Sequence, residues 1–127
     1  MPRRSKLPKP IAGEPYRFHC PSDTLGLPPY LVDLEAHGGM AGCVCADYEK
    51  VKNPNRRRGG RSLRESTCKH IVRSYLYWAK QELKDRLGKH HALFQPSEMA
   101  LVAWARREIQ RRVREKRRVN GGRKEDE

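Results

Sequence analysis

Cys43 and Cys45 stand one residue apart, and twenty-two residues later Cys68 and His70 repeat the spacing. Three thiolates and one imidazole are the donor set of a closed tetrahedral Zn2+ site, and each pair brings two ligands together locally. Spacing also dictates local structure. A straight strand would set the Cys43 and Cys45 sulfurs about 6 to 7 Å apart, so a bend is expected at Val44 to Ala46. Helix positions two apart diverge by roughly 200°, so Cys68 should precede a helix whose first turn holds His70. A thiolate at a helix N-terminus is also favoured in its ionised form.

Four protein ligands leave no position open for water or substrate, which points to a structural metal and away from an enzyme. Two alternative ligand sets remain, with Cys20 replacing His70 or with His37 intruding, although neither residue has a paired partner nearby. Otherwise Cys20 reads as a small buried hydrophobe. A Cys68–His70 nucleophilic pair would leave Cys43 and Cys45 unexplained. No acidic pair stands in an apolar setting suited to acid–base work.

The elements that must position these ligands follow from periodicity. Residues 1–15 carry four prolines among Arg3, Arg4, Lys6 and Lys9, and read as a flexible basic arm. Tyr16, Phe18 and Cys20 alternate with Arg17 and His19, which predicts a strand ending at Pro21. Tyr30, Val32 and Leu34 alternate with Asp33 and Glu35 in a second strand, and His37-Gly38-Gly39 supplies a turn. Met40 to Cys45 is expected to complete an antiparallel meander of two to three strands.

Residues 49–66 show no period and carry Lys50, Lys52, Arg56, Arg57, Arg58, Arg61 and Arg64. They read as a mobile basic finger closed by the metal or, alternatively, as a solvated insertion. Ser66 or Thr67 is the expected N-cap of a helix running to Leu87, with Gly88 as its stop. Its apolar stripe holds Val72, Leu76, Ala79, Leu83 and Leu87, while His90 and His91 fall in an exposed connector. A second helix opens at Pro96-Ser97-Glu98, with Pro96 in its first turn, and places Met99, Val102, Ile109 and Val113 on one face. Arg107, Arg111, Arg114 and Arg118 form a neighbouring stripe about 16 Å long. Asn120-Gly121-Gly122 should end that helix before a disordered tail over 121–127.

The Cys43-Val44-Cys45 and Cys68-Lys69-His70-Ile71 motifs, preceded by Tyr30-Leu31-Val32, resemble the SWIM zinc finger. That family has C-x-C, a variable spacer and C-x-H after strands and running into a helix, and the resemblance covers roughly Tyr16 to Leu87. It implies zinc ligation by Cys43, Cys45, Cys68 and His70 in a ββα-like fold, and an association with DNA binding and with protein contacts. The spacer here is long and unusually basic.

The fold class expected is therefore α+β, a small zinc-stapled domain over 16–88 followed by a connector and basic helix over 89–120. The chain has 127 residues with 36% hydrophobic against 34% charged, so its core is modest. A structural zinc compensates, since roughly 10 to 16 kcal/mol of apparent binding free energy is available to folding. The formal charge of +13, from 28 Lys plus Arg against 15 Asp plus Glu, favours a phosphate polymer as partner. Nucleic acid, DNA before RNA, is the expected ligand of the basic loop and arginine helix, chiefly through phosphates. Trp104 could stack on a base or pack against the first helix. A protein-interaction adaptor using the Met99, Val102, Ile109, Val113 face is the second reading, and no small-molecule substrate is expected. No apolar leader or membrane span is visible, and reduced cysteines suit an intracellular setting, cytoplasmic or nucleoid-associated, or nuclear in a eukaryote.

Overall fold

The computed structural model describes residues 7–24, 26–93 and 96–125. It is an α+β fold built on a four-stranded antiparallel sheet in the order β1-β2-β3-β4. The strands are β1 (Lys9–Ile11), β2 (Glu14–Cys20), β3 (Tyr30–Asp33) and β4 (Gly42–Cys43). Phe18 opposes Val32, and Val32 opposes Cys43, so one register line runs from the core into the first metal-ligand candidate.

β1 lies within the stretch expected to be a flexible arm. Lys9 and Pro10 pair with His19 and Phe18, and Gly13 at φ 78° closes the hairpin, which the proline-rich composition had concealed. Residues 1–6 of the expected arm lie outside the described residues. The third strand of the expected meander shrinks to Gly42–Cys43. A short helical turn, α1 (Ala36–Gly39), and the positive-φ residue Ala41 displace its beginning.

His37, Gly38, Gly39 and Ala41 all have positive φ. For His37 and Ala41 this conformation costs roughly 1 to 2 kcal/mol each. Two buried tyrosines hold the turn: the Tyr75 hydroxyl donates to the Gly39 carbonyl at 2.9 Å and the Tyr48 hydroxyl to the Ala41 carbonyl at 3.1 Å.

Most of the 49–66 segment is helical, with a turn over 58–62, which corrects its reading as a periodless mobile finger. A π-helical turn over Tyr48–Lys52 leads into α2 (Asn53–Arg57), with Pro54 at a position that needs no donor, and α3 (Leu63–Ser66) follows. Ser62 caps α3, its Oγ accepting from Glu65 N at 3.2 Å and donating to Glu65 Oε1 at 2.8 Å. This N-cap, with the Glu65 backbone and carboxylate both bound to the Ser62 hydroxyl, supports a helix in a segment too short and too charged to show amphipathic periodicity.

The long helix α4 (Lys69–Leu87) is capped by Cys68 rather than by the expected Ser66 or Thr67, and ends as expected at Gly88, φ 56°. Ser66 and Thr67 are buried, and their hydroxyls donate back to Ser62 and Leu63 carbonyls. A 3-10 segment, Gly88–Leu93, holds exposed His90, while the His91 side chain lies outside the described residues.

The last helix, α5, spans Glu98–Glu125. Ser97 caps it, accepting from Ala100 N at 3.2 Å, so Pro96 precedes the cap instead of occupying the first turn. The backbone remains helical through Gly121 and Gly122, past the expected stop at Asn120 and through most of the expected 121–127 tail. Two adjacent glycines weaken a helix without obliging it to end.

The core joins Phe18, Val32 and Leu34 of the sheet to Ile71, Tyr75, Trp78 and Ala79 of α4. Leu101, Val102, Ala105, Ile109 and Val113 complete it from α5. The α5 face offered by the adaptor reading is therefore interior, apart from Met99, which is 57% exposed. Its helical angle sets Met99 beside Val102, but it lies in the first turn, beyond the end of the core. Among the described residues no helix is long and apolar enough to cross a membrane.

Candidate metal centre

Cys43 closes β4, and at Cys45 the chain leaves the sheet to enter the helical segment. The Tyr48 amide points back at Cys45 Sγ, 3.4 Å away, and the Glu49 amide donates to the Cys45 carbonyl at 3.0 Å. This knuckle turns both sulfurs toward one point, as the spacing demands. On the other side, Cys68 has extended backbone at the N-cap of α4 and His70 lies in the first turn. The helix start swings the imidazole back over the cysteine before it.

All four side chains are buried, and their ligand atoms lie within 4.8 Å of one another. His70 Nδ1 is 4.0 Å from Cys43 Sγ and 3.9 Å from Cys68 Sγ, so Nδ1 is the nitrogen that faces the sulfurs. Nε2 is buried without a hydrogen-bond partner among the described groups, and the ring packs on Tyr30 with centroids 4.7 Å apart. The four residues form a cluster that can hold a metal ion.

The electrostatics already favour a thiolate in this cluster. Hydrogen bonding from Cys43, and to a lesser degree from the Ile71 amide at the helix start, holds the Cys68 thiol below its usual range against the opposing effect of burial. The same hydrogen bond to Cys68, followed by burial, pushes the Cys43 thiol far up. Burial also raises Cys45. Lys69, between the two ligands, pairs with Asp23, which also takes Arg73 at 3.2 Å, so positive side chains rim the site.

Cys20 and His37, the alternative ligands, are absent from this cluster. Cys20 is a free, fully buried cysteine raised to about 11, mainly by burial. His37 is an exposed residue of α1 whose ring stacks on Tyr48.

The expected nucleic-acid residues separate by environment. Lys50, Arg57, Arg58, Arg61 and Arg64 are exposed on the helical segment. Lys52 is half-buried and donates to the Arg64 carbonyl at 2.7 Å, and Arg56 is held by Asn53 Oδ1 at 2.8 Å. On α5, Arg107, Arg111, Arg114 and Arg118 are all exposed. Arg111, however, is engaged by Glu108 at 2.6 Å and Glu115 at 2.7 Å. Trp104 packs against Trp78 at 5.8 Å beneath Arg86.

Sequence patterning did not single out Arg106. It lies within a run of arginines, yet it is only 5% exposed, donating to the Arg61 carbonyl at 2.9 Å and to Ser66 Oγ at 2.7 Å. Its position four residues from both Val102 and Gln110, on the edge of the apolar stripe, was the available signal.

Comparison with protein-family models, with curated proteins and with solved structures finds none that matches this chain.

Proposed function

We propose that the chain is a zinc-stabilised, SWIM-type module that binds nucleic acid, DNA in preference to RNA. The single observation that carries the metal half is the buried convergence of Cys43, Cys45, Cys68 and His70. Zn–S bonds of about 2.3 Å and Zn–N bonds of about 2.0 to 2.1 Å require ligand atoms roughly 3.5 to 3.8 Å apart. The observed 3.9 and 4.0 Å separations need only a small contraction. Three soft sulfurs and one imidazole favour zinc over hard, oxygen-seeking cations.

Zinc there acts as structure. It ties β4 to the start of α4 and closes the intervening helical segment, whose arginines then stand on a fixed base. The net charge of +13 supports a polyanionic partner, and phosphates can be met without base-specific contacts.

Two measurements test the proposal. Metal analysis of protein purified without chelator is expected to give about one zinc per chain, with unfolding on its removal. Binding to labelled DNA should weaken steeply as salt rises, through release of several counterions. Full folding in chelator removes the zinc half, and absence of binding at about 50 mM salt removes the nucleic-acid half.

A further inference from the structure

The basic groups of α5 are divided by what opposes them. Arg111 and Arg112, with Arg86 of α4, meet Glu82, Glu108 and Glu115 in an ion-pair network beside α4. Arg107, Arg114, Arg117 and Arg118 are exposed and form no ion pair with a described carboxylate. The α5 surface is neutralised on one side and left positive on the other.

The positive side meets α1. A Cβ built on Gly39 would lie 2.8 Å from Gln110 Cα, and one on Gly38 would lie 3.9 Å from Arg117 Nη1. At 100° per residue, Arg114 and Arg117 stand within roughly 40° of Gln110 around the helix, and Arg107 within roughly 60°. From the other direction α2 approaches the same turn. The His37 ring of that turn stacks on Tyr48, in the π-helical turn that runs directly into α2, and after partial burial of the ring the charges of Arg56 and Arg57 also lower the His37 pKa. Two arginine groups, one on α2 and one on α5, therefore flank one turn, and the Arg106 bond to the Arg61 carbonyl holds their supports together.

This surface offers charge without a stacking platform. Among the described residues no Phe, Tyr or Trp is exposed, and the exposed large apolar side chains are aliphatic. Single-strand binders combine a basic groove with aromatic faces on which unpaired bases stack, each worth about 1 to 3 kcal/mol. A duplex keeps its bases stacked and presents one charge per about 1.7 Å of axis.

We propose that the face formed by α2, α1 and α5 binds the phosphate backbone of double-stranded nucleic acid, with Arg117 among its contacts and Arg111 outside them. This rests on the nucleic-acid reading above and specifies its ligand.

The test is fluorescence anisotropy of the full, zinc-loaded chain with a DNA duplex of about 20 base pairs, the equivalent RNA duplex, and the separated strands of each, across a salt series. At least one duplex is expected to bind more tightly than its own strands. Arg57→Gln, Arg114→Gln and Arg117→Gln should each lower the log–log salt slope by about one, while Arg111→Gln leaves it unchanged. Strands that bind as tightly as their duplexes, or an Arg111→Gln loss equal to that of Arg117→Gln, would overturn the inference and leave nucleic-acid binding intact. No binding to any of the probes would remove the underlying reading itself.

Discussion

Arg106 Nη2 donates to Ser66 Oγ at 2.7 Å, fastening α5 to the residue two places before the Cys68 metal-ligand candidate. The second donor arm reaches the Arg61 carbonyl at 2.9 Å. A guanidinium stays charged even when burial lowers its pKa, and its fork serves two acceptors that one ammonium cannot span. Arg106→Met is expected to cost about 3 kcal/mol in urea denaturation of the metal-loaded chain, with Arg106→Lys recovering only part. A change within about 0.5 kcal/mol would show the contact to be incidental.

The metal centre should discriminate among the four cysteines. Cys43→Ser, Cys45→Ser and Cys68→Ser are each expected to lose metal and cooperative folding, whereas Cys20→Ser keeps the metal at a modest cost of about 1 kcal/mol in stability. Metal content and circular dichroism of the four variants check this. Retention of metal by Cys68→Ser alongside its loss in Cys20→Ser would reassign the ligand set.

Glu108 supplies a pH signature separate from the metal. Hydrogen bonding from Arg111, opposed by burial and aided by Arg86, lowers its carboxyl from 4.5 to about 2. A folded-state pKa below the unfolded value means that the stabilisation is full above about 4.5 and disappears as pH falls toward about 2. The stability difference between the natural chain and Glu108→Gln should therefore be on the order of 1 kcal/mol at pH 6 and shrink on acidification. A difference that is constant with pH would mean that Glu108 acts through packing alone.

Gly39 tests the junction of α1 with α5. Its φ of 94° and the 2.8 Å approach of a Cβ to Gln110 Cα oppose any side chain, whereas Gly59, φ 97°, has open space around its Cβ position. Gly39→Ala is expected to cost about 3 kcal/mol and Gly59→Ala about 1 kcal/mol, read from thermal midpoints of the two variants. Equal losses would show that backbone strain accounts for both.

The metal-ligand candidates were legible because their constraint is local. Spacing alone required a bend after Cys43 and placed Cys68 ahead of the helix, and the structure has both. α4 and its Gly88 stop were legible for the same reason. Part of what escaped was decided by partners distant in sequence. β1 exists because Lys9 and Pro10 find His19 and Phe18 across a hairpin, which composition cannot reveal. The helices of 53–57 and 63–66 lie in a stretch with too few apolar residues to show a period, although the Ser62 cap of α3, three residues before Glu65, is a local signal the sequence does carry. The arginine stripe of α5 was read correctly as exposed, but the reading passed over Glu108 and Glu115, the i−3 and i+4 neighbours that take up Arg111 and are legible from spacing along one helix.

The two outer strands of the sheet carry a consequence for life in a crowded solution. β1 has three residues, one of them Pro10 at a break in register, and β4 has two, beyond which the chain turns away at Cys45. A sheet margin recruits a foreign strand only where several unpaired amides and carbonyls stand in a row, and proline or an early exit removes that template. The fold thus ends its sheet on both sides with little unpaired backbone for a foreign strand to join.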